Sequence, residues 1–117
     1  MKMKIRVSIL CPSISPIKER MLEDIVFIEL LRSGYEVYMG KLYRKKIDFV
    51  AMKGSEKIYI QVSDDISAET TFRREVEPLL QVRDAYPKLL LARTRNEETD
   101  YKGIRIVDIP RWLLMEH

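Results

Sequence analysis

The sequence predicts an α/β domain, a mixed central sheet flanked by helices, and three observations carry that expectation. From Ile17 onward Met21, Leu22, Ile25, Val26, Ile28 and Leu30 recur at three-and-four spacing, the pattern of a helix with an apolar stripe. Three short runs follow at 35–43, 46–52 and 57–63, rich in the aromatic and β-branched residues of strands. After a second helical stretch comes Leu89-Leu90-Leu91-Ala92, a continuous apolar run of the kind seen in strands covered on both faces.

Taken in order, residues 2–10 alternate Met3, Ile5, Val7 and Ile9 with Lys2, Lys4, Arg6 and Ser8, which predicts a half-buried strand. Cys11-Pro12-Ser13 ends it. Ser15 is placed as an N-cap and Pro16 as the first helical residue. The helix then runs to about Ser33, where Gly34 suits a left-handed stop. Gly54-Ser55 predicts a tight hairpin between the second and third strands. On the third strand Ile58, Ile60 and Val62 face one side, and Lys57, Tyr59, Gln61 and Ser63 the other. The second helix spans 67–83, opened by Ser67 with Glu69 in its first turn, and Pro78 should kink or divide it. Residues 95–102 form a charged loop, 104–109 a last strand and 110–115 a terminal helical turn. The expected core is Leu22, Ile25, Val26, Leu30, Ile58, Ile60, Val62, Leu80 and Leu90. Without repeats or linkers, residues 1–117 read as one domain.

Composition removes several functions. The only cysteine is Cys11 and the only histidine His117, too few for a zinc or iron–sulfur centre or an internal disulfide. One cysteine also fits a reducing cytoplasm. No G-x-x-x-x-G-K-[ST] stretch occurs, so the chain contains no P-loop. No apolar run approaches the ~20 residues of a membrane span. A net charge of +3 is compatible with nucleic acid without pointing to it strongly.

Asp48, within Ile47-Asp48-Phe49-Val50, is the first residue that asks for a reason, because aspartate is depleted in strands. An exposed strand end, or a pair with Lys46, is the ordinary alternative. Helix, three strands, helix, strand is an order that resembles the αβββαβ core of the PD-(D/E)XK nucleases. In that fold a helix glutamate, a strand aspartate and a Glu-X-Lys on the next strand converge on a divalent cation, a hard ion that prefers oxygen ligands. The metal lowers the pKa of an attacking water and the lysine assists at the nucleophile or phosphate.

The resemblance places Glu23, Asp48 and Gln61 at those positions. Asp48 and Gln61 would be the metal ligands and magnesium the implied ion. Gln61-Val62-Ser63 departs from Glu-X-Lys at both ends: Gln61 keeps an uncharged ligand oxygen, and Ser63 lacks the ammonium. A solvent-facing strand residue is the plain alternative for Gln61. Glu29 competes with Glu23 on the same helix. Leu31-Arg32-Ser33-Gly34 is similar to the Leu-Arg-x-x-Gly of archaeal Holliday-junction resolvases, another branch of the fold.

From Leu22 on, the chain is similar to the C-terminal domain, largely of unknown function, of a family of prokaryotic P-loop AAA-type ATPases. Leu22-Glu23-Asp24-Ile25-Val26-Phe27-Ile28-Glu29-Leu30, Ile47-Asp48-Phe49-Val50-Ala51, Tyr59-Ile60-Gln61-Val62, Arg73-Arg74-Glu75 and Tyr86-Pro87-Lys88 carry that likeness. It implies an accessory domain whose partner is an ATPase module absent from this chain. Residues 1–15 do not match what precedes that domain.

Basic residues gather at Lys41, Arg44, Lys45 and Lys46, at Arg73 and Arg74, and at Arg93 and Arg95. The first group suits either a phosphate-contacting loop or an ordinary turn. Arg73 or Arg74 would replace the missing lysine from the second helix, or simply line a solvated face. Three classes of function follow: a degenerate nuclease-like module contacting nucleic acid or a partner protein, an active magnesium-dependent deoxyribonuclease, and a structural or homo-oligomerisation module.

Overall fold

The computed structural model describes residues 14–42 and 45–117, with side chains from Glu19 to Met39 and from Ile47 onward. The strand expected at 2–10 lies outside the described residues. The elements are α1 (Ile14–Arg32), β1 (Glu36–Leu42), β2 (Lys45–Lys53), β3 (Glu56–Val62), α2 (Glu69–Gln81), β4 (Lys88–Ala92), β5 (Thr99–Tyr101), β6 (Ile104–Asp108) and α3 (Ile109–Leu113). They form one six-stranded sheet in the order β1-β2-β3-β4-β6-β5. β1, β2 and β3 are an antiparallel meander, β3, β4 and β6 run parallel, and β5 pairs antiparallel to β6 at the edge. The mixed α/β architecture with an αβββαβ order is therefore present.

Local chemistry sets the joints. At the end of α1 the Tyr35 N–H donates to the Leu30 carbonyl at 3.1 Å and the Gly34 N–H to Leu31 at 3.0 Å. This paired closure needs a left-handed residue, and Gly34 sits at φ +95°. Gly54, at φ +63°, opens the two-residue turn that pairs Lys53 with Glu56. β5 was expected as loop. Its signal was Lys102-Gly103, whose positive φ values of 50° and 87° close a hairpin between Tyr101 and Ile104.

Two layers of helix cover the sheet. Against α1 and α3 are buried Val26, Leu30, Phe49, Ile60, Val62, Leu91 and Trp112. Against α2 are buried Ile47, Tyr59, Val76, Leu79, Leu90 and Ile104. β3 is thus covered on both sides, and the face of Tyr59 and Gln61 is interior. Of the expected core, Val26, Leu30, Ile60, Val62 and Leu90 are buried, with Leu22 and Ile58 packed at the margin.

Ile25 and Leu80 are corrections, at 41% and 37% exposure. α1 is apolar on both sides, so spacing alone did not tell its inner stripe from the outer one of Met21, Ile25, Ile28 and Leu31. On α2 the inward leucine is Leu79. Nor does Pro78 divide α2, which continues through it to Gln81. Pro78 falls in the last turn, where it removes only one ladder bond. Ser67 does not cap this helix: Ala68 precedes Glu69, and the Ser67 N–H donates to Asp65 Oδ1 at 2.9 Å in a local turn. Among the described residues no helix is long and apolar enough to cross a membrane.

Candidate functional site

The site begins with an irregularity in β2. Met39 pairs with Phe49 and the next residue, Gly40, pairs with Ile47, so Asp48 is passed over. This is a β-bulge, one extra residue that re-aims its neighbours. Phe49 and Ala51 point beneath α1, whereas Ile47, two residues before Phe49, packs with the α2 face. A regular strand would keep all three on one side.

Asp48 and Gln61 lie on adjacent antiparallel strands, just beyond the last pair, Phe49 with Ile60. Their side chains complete the connection. The Asp48 N–H donates to Gln61 Oε1 at 2.7 Å, and the Val62 N–H donates to Asp48 Oδ2 at 2.8 Å. Gln61 Nε2 donates to the carbonyl of Glu75 on α2 at 3.2 Å. Gln61 is only 4% exposed, so it is not a solvent-facing strand residue.

A cavity of about 380 Å³ opens beside them, walled by Glu19 and Glu23 of α1, Asp48, Gln61 and Val62 of the sheet, and Arg74, Glu75 and Pro78 of α2. Glu23, Asp48 and Gln61 therefore share one cavity. Glu29 does not join them; it is engaged with Arg32 and Ser33 at the end of α1. Among the described residues no three His, Cys, Asp or Glu side chains are grouped as a metal ion would need.

Glu75 is the residue sequence reasoning missed. Burial, reinforced by the negative charges of Asp48, Glu19 and Glu23 and opposed by Arg74, raises its carboxyl to about 7. The signal was its place on α2: buried Val76 and Leu79 follow it by one and four residues, so it sits beside the inward stripe. What the cavity offers chemically is four carboxyl groups and one guanidinium, with one carboxyl able to exchange a proton near neutrality.

The remaining candidates separate. Arg74 lines the cavity, but Arg73 turns to solvent and pairs with Glu69 at 2.8 Å. Ser63, where Glu-X-Lys would supply lysine, is 1% exposed, and its N–H donates to the Leu91 carbonyl at 2.9 Å. A lysine there would have to bury its ammonium. Arg93 is held by Asp64, its Nε donating to Oδ1 at 2.7 Å. Arg95 is exposed on a left-handed loop residue at φ +63°. Arg44 lies outside the described residues; the backbones of Lys41 and Lys46 are cross-strand partners beside Leu42 and Lys45, the pair nearest the connection between β1 and β2.

No family model matches the chain. A Haemophilus influenzae protein described only as uncharacterized is 45% identical over 93 residues, 80% of this chain. The chain spans 22% of the length of that curated relative.

Proposed function

We propose that this chain is a nuclease-like accessory domain with a degenerate metal site, contacting nucleic acid or a partner protein for an associated ATPase in the cytoplasm. One observation supports the reading above others. At the two positions where Glu-X-Lys would stand, Gln61 has both ends of its amide engaged and Ser63 is closed off from solvent. The transition-state clamp of a metal-dependent nuclease needs charge at both places. A relative several times longer than the matched region accords with a module serving a larger protein. The outer stripe of α1, Met21, Ile25, Ile28 and Leu31, favours a protein contact.

The second reading, an active magnesium-dependent deoxyribonuclease, is favoured by Glu23, Asp48 and Glu75 sharing the cavity. One experiment separates the two. The purified chain with magnesium or manganese is incubated with plasmid and single-stranded DNA, and binding is measured against salt. The accessory reading expects no cleavage above background. It also expects binding that weakens with salt, with a log–log slope of about −3 to −4 if Lys41, Arg44, Lys45 and Lys46 each meet a phosphate. Metal-dependent cleavage abolished by Asp48→Ala overturns it in favour of the nuclease. Absence of both leaves the partner-protein contact.

A further inference from the structure

Gln61 ties three elements together. Its Oε1 accepts the Asp48 N–H of the β2 bulge, its Nε2 donates to the Glu75 carbonyl of α2, and its own backbone belongs to β3. Asp48 returns the contact through the Val62 N–H. The partners fix which end of the amide is oxygen, since a donor faces one end and an acceptor the other. The side chains thus supply a rung of the β2–β3 ladder just beyond Phe49 and Ile60, its last backbone pair.

We propose that Gln61 is a positioning residue, a clasp that holds the bulge and α2 to β3 and so sets the Asp48 carboxylate against the cavity. The inference does not depend on whether that cavity takes a metal. Both contacts require one acceptor and one donor on the same terminal carbon at glutamine's length. Glutamine meets this at any pH, and glutamate meets it only when protonated. The glutamine is therefore what the local backbone demands, rather than a weakened ligand.

The test is Gln61→Glu compared with the parent by thermal melting between pH 4 and 8, with Gln61→Leu as the second variant. The introduced carboxyl would face Asp48 of β2, Glu75 and Arg74 of α2, and Glu19 and Glu23 of α1, while its neighbour on β4 is the uncharged Leu90. Four carboxyls against one guanidinium, with burial, raise its folded pKa above the ordinary value of about 4.3. The neutral acid is then the form the fold favours. Its stabilisation is present below the unfolded pKa and is lost as pH rises through the folded one.

The expected result is a variant melting close to the parent at pH 4 and falling behind by about 5 °C or more at pH 8, a gap that persists in a Glu75→Gln background. Gln61→Leu should melt lower at every pH. In the parent itself, the Asp48 amide should exchange with solvent as slowly as its ladder-bonded neighbours. A gap independent of pH, a Gln61→Glu protein whose loss is reversed by manganese, or fast exchange of the Asp48 amide would each overturn the clasp.

Discussion

Beneath α1 and α3 the sheet buries Phe49, Ile60, Val62, Leu91 and Trp112, a layer made chiefly of apolar contacts, to which Lys53 adds hydrogen bonds to the Ser33 and His117 carbonyls. Beneath α2 the same strands present Ile47 and Leu90 together with polar groups that reach particular partners. There the Tyr59 hydroxyl donates to Asp84 Oδ2 at 2.5 Å, and Gln61 reaches α2 through the Glu75 carbonyl. Apolar contact is non-directional and tolerates substitution by shape. A buried polar group instead needs its partner in one place, and losing that partner costs the desolvation of what remains. Both faces add stability through apolar burial, and the polar contacts of the second also fix where α2 sits and hence the shape of the cavity.

The comparison breaks most directly in the core. Ile60→Ala on the first face and Leu79→Ala on the second should each lower stability by about 2–5 kcal/mol, measured by denaturant melts with unchanged slope. Both residues are fully buried. If Leu79→Ala cost less than about 1 kcal/mol, the second face would be a loosely packed surface and α2 an accessory to the sheet rather than its cover.

Glu75 sharpens the comparison through pH. Its carboxyl is raised to about 7 from an ordinary 4.5, so the fold favours the neutral acid. The stabilisation is complete below about pH 4.5 and is lost as pH rises through about 7. Glu75→Gln keeps the neutral shape, so the variant should lose this slope and exceed the parent at pH 8. The shift corresponds to at most about 3 kcal/mol, and partial solvent screening reduces the expected gain to about 1–2 kcal/mol. A variant with the parent's pH profile would show that neither burial nor the charges of Asp48 and Glu19 raise Glu75.

What the sequence revealed follows the same division. Ile58, Ile60 and Val62 alternate, Gly34 and Gly54 mark their turns, and Leu89-Leu90-Leu91 announces a doubly covered strand, because these features act within a few residues. Asp48 stood out as an aspartate among apolar residues, and its nearness to Gln61 follows from the short hairpin register. The bulge at Asp48 went unread, although Gly40, an isolated glycine in the facing strand, stands at the register shift and is the kind of residue that marks one. The elevated proton affinity of Glu75 was not legible, because it arises from burial first and then from groups on α1 and β2 that only the tertiary fold assembles. Ser63 was recognised as departing from Glu-X-Lys, yet its burial, which bars a simple restoration of lysine, depends on neighbours distant in sequence.

The smallest expected effect tests the orientation of α2, where reading by spacing chose Leu80 and the fold chose its neighbour. Leu80 is 37% exposed, and Leu79 is fully buried with Val76 against Leu90 and Ile104. Residues one apart on a helix differ by about 100° in direction, so both cannot reach the sheet. Leu80→Ala removes a side chain that keeps much of its solvent contact. It also replaces leucine with a slightly better helix former, which offsets a few tenths of a kcal/mol of the lost burial. Its stability should lie about 1 kcal/mol below the parent, against the several kcal/mol of Leu79→Ala. A loss above about 2 kcal/mol at Leu80 would rotate α2 by most of a third of a turn. That rotation would carry Glu75 away from Asp48 and dissolve the polar face on which the cavity depends.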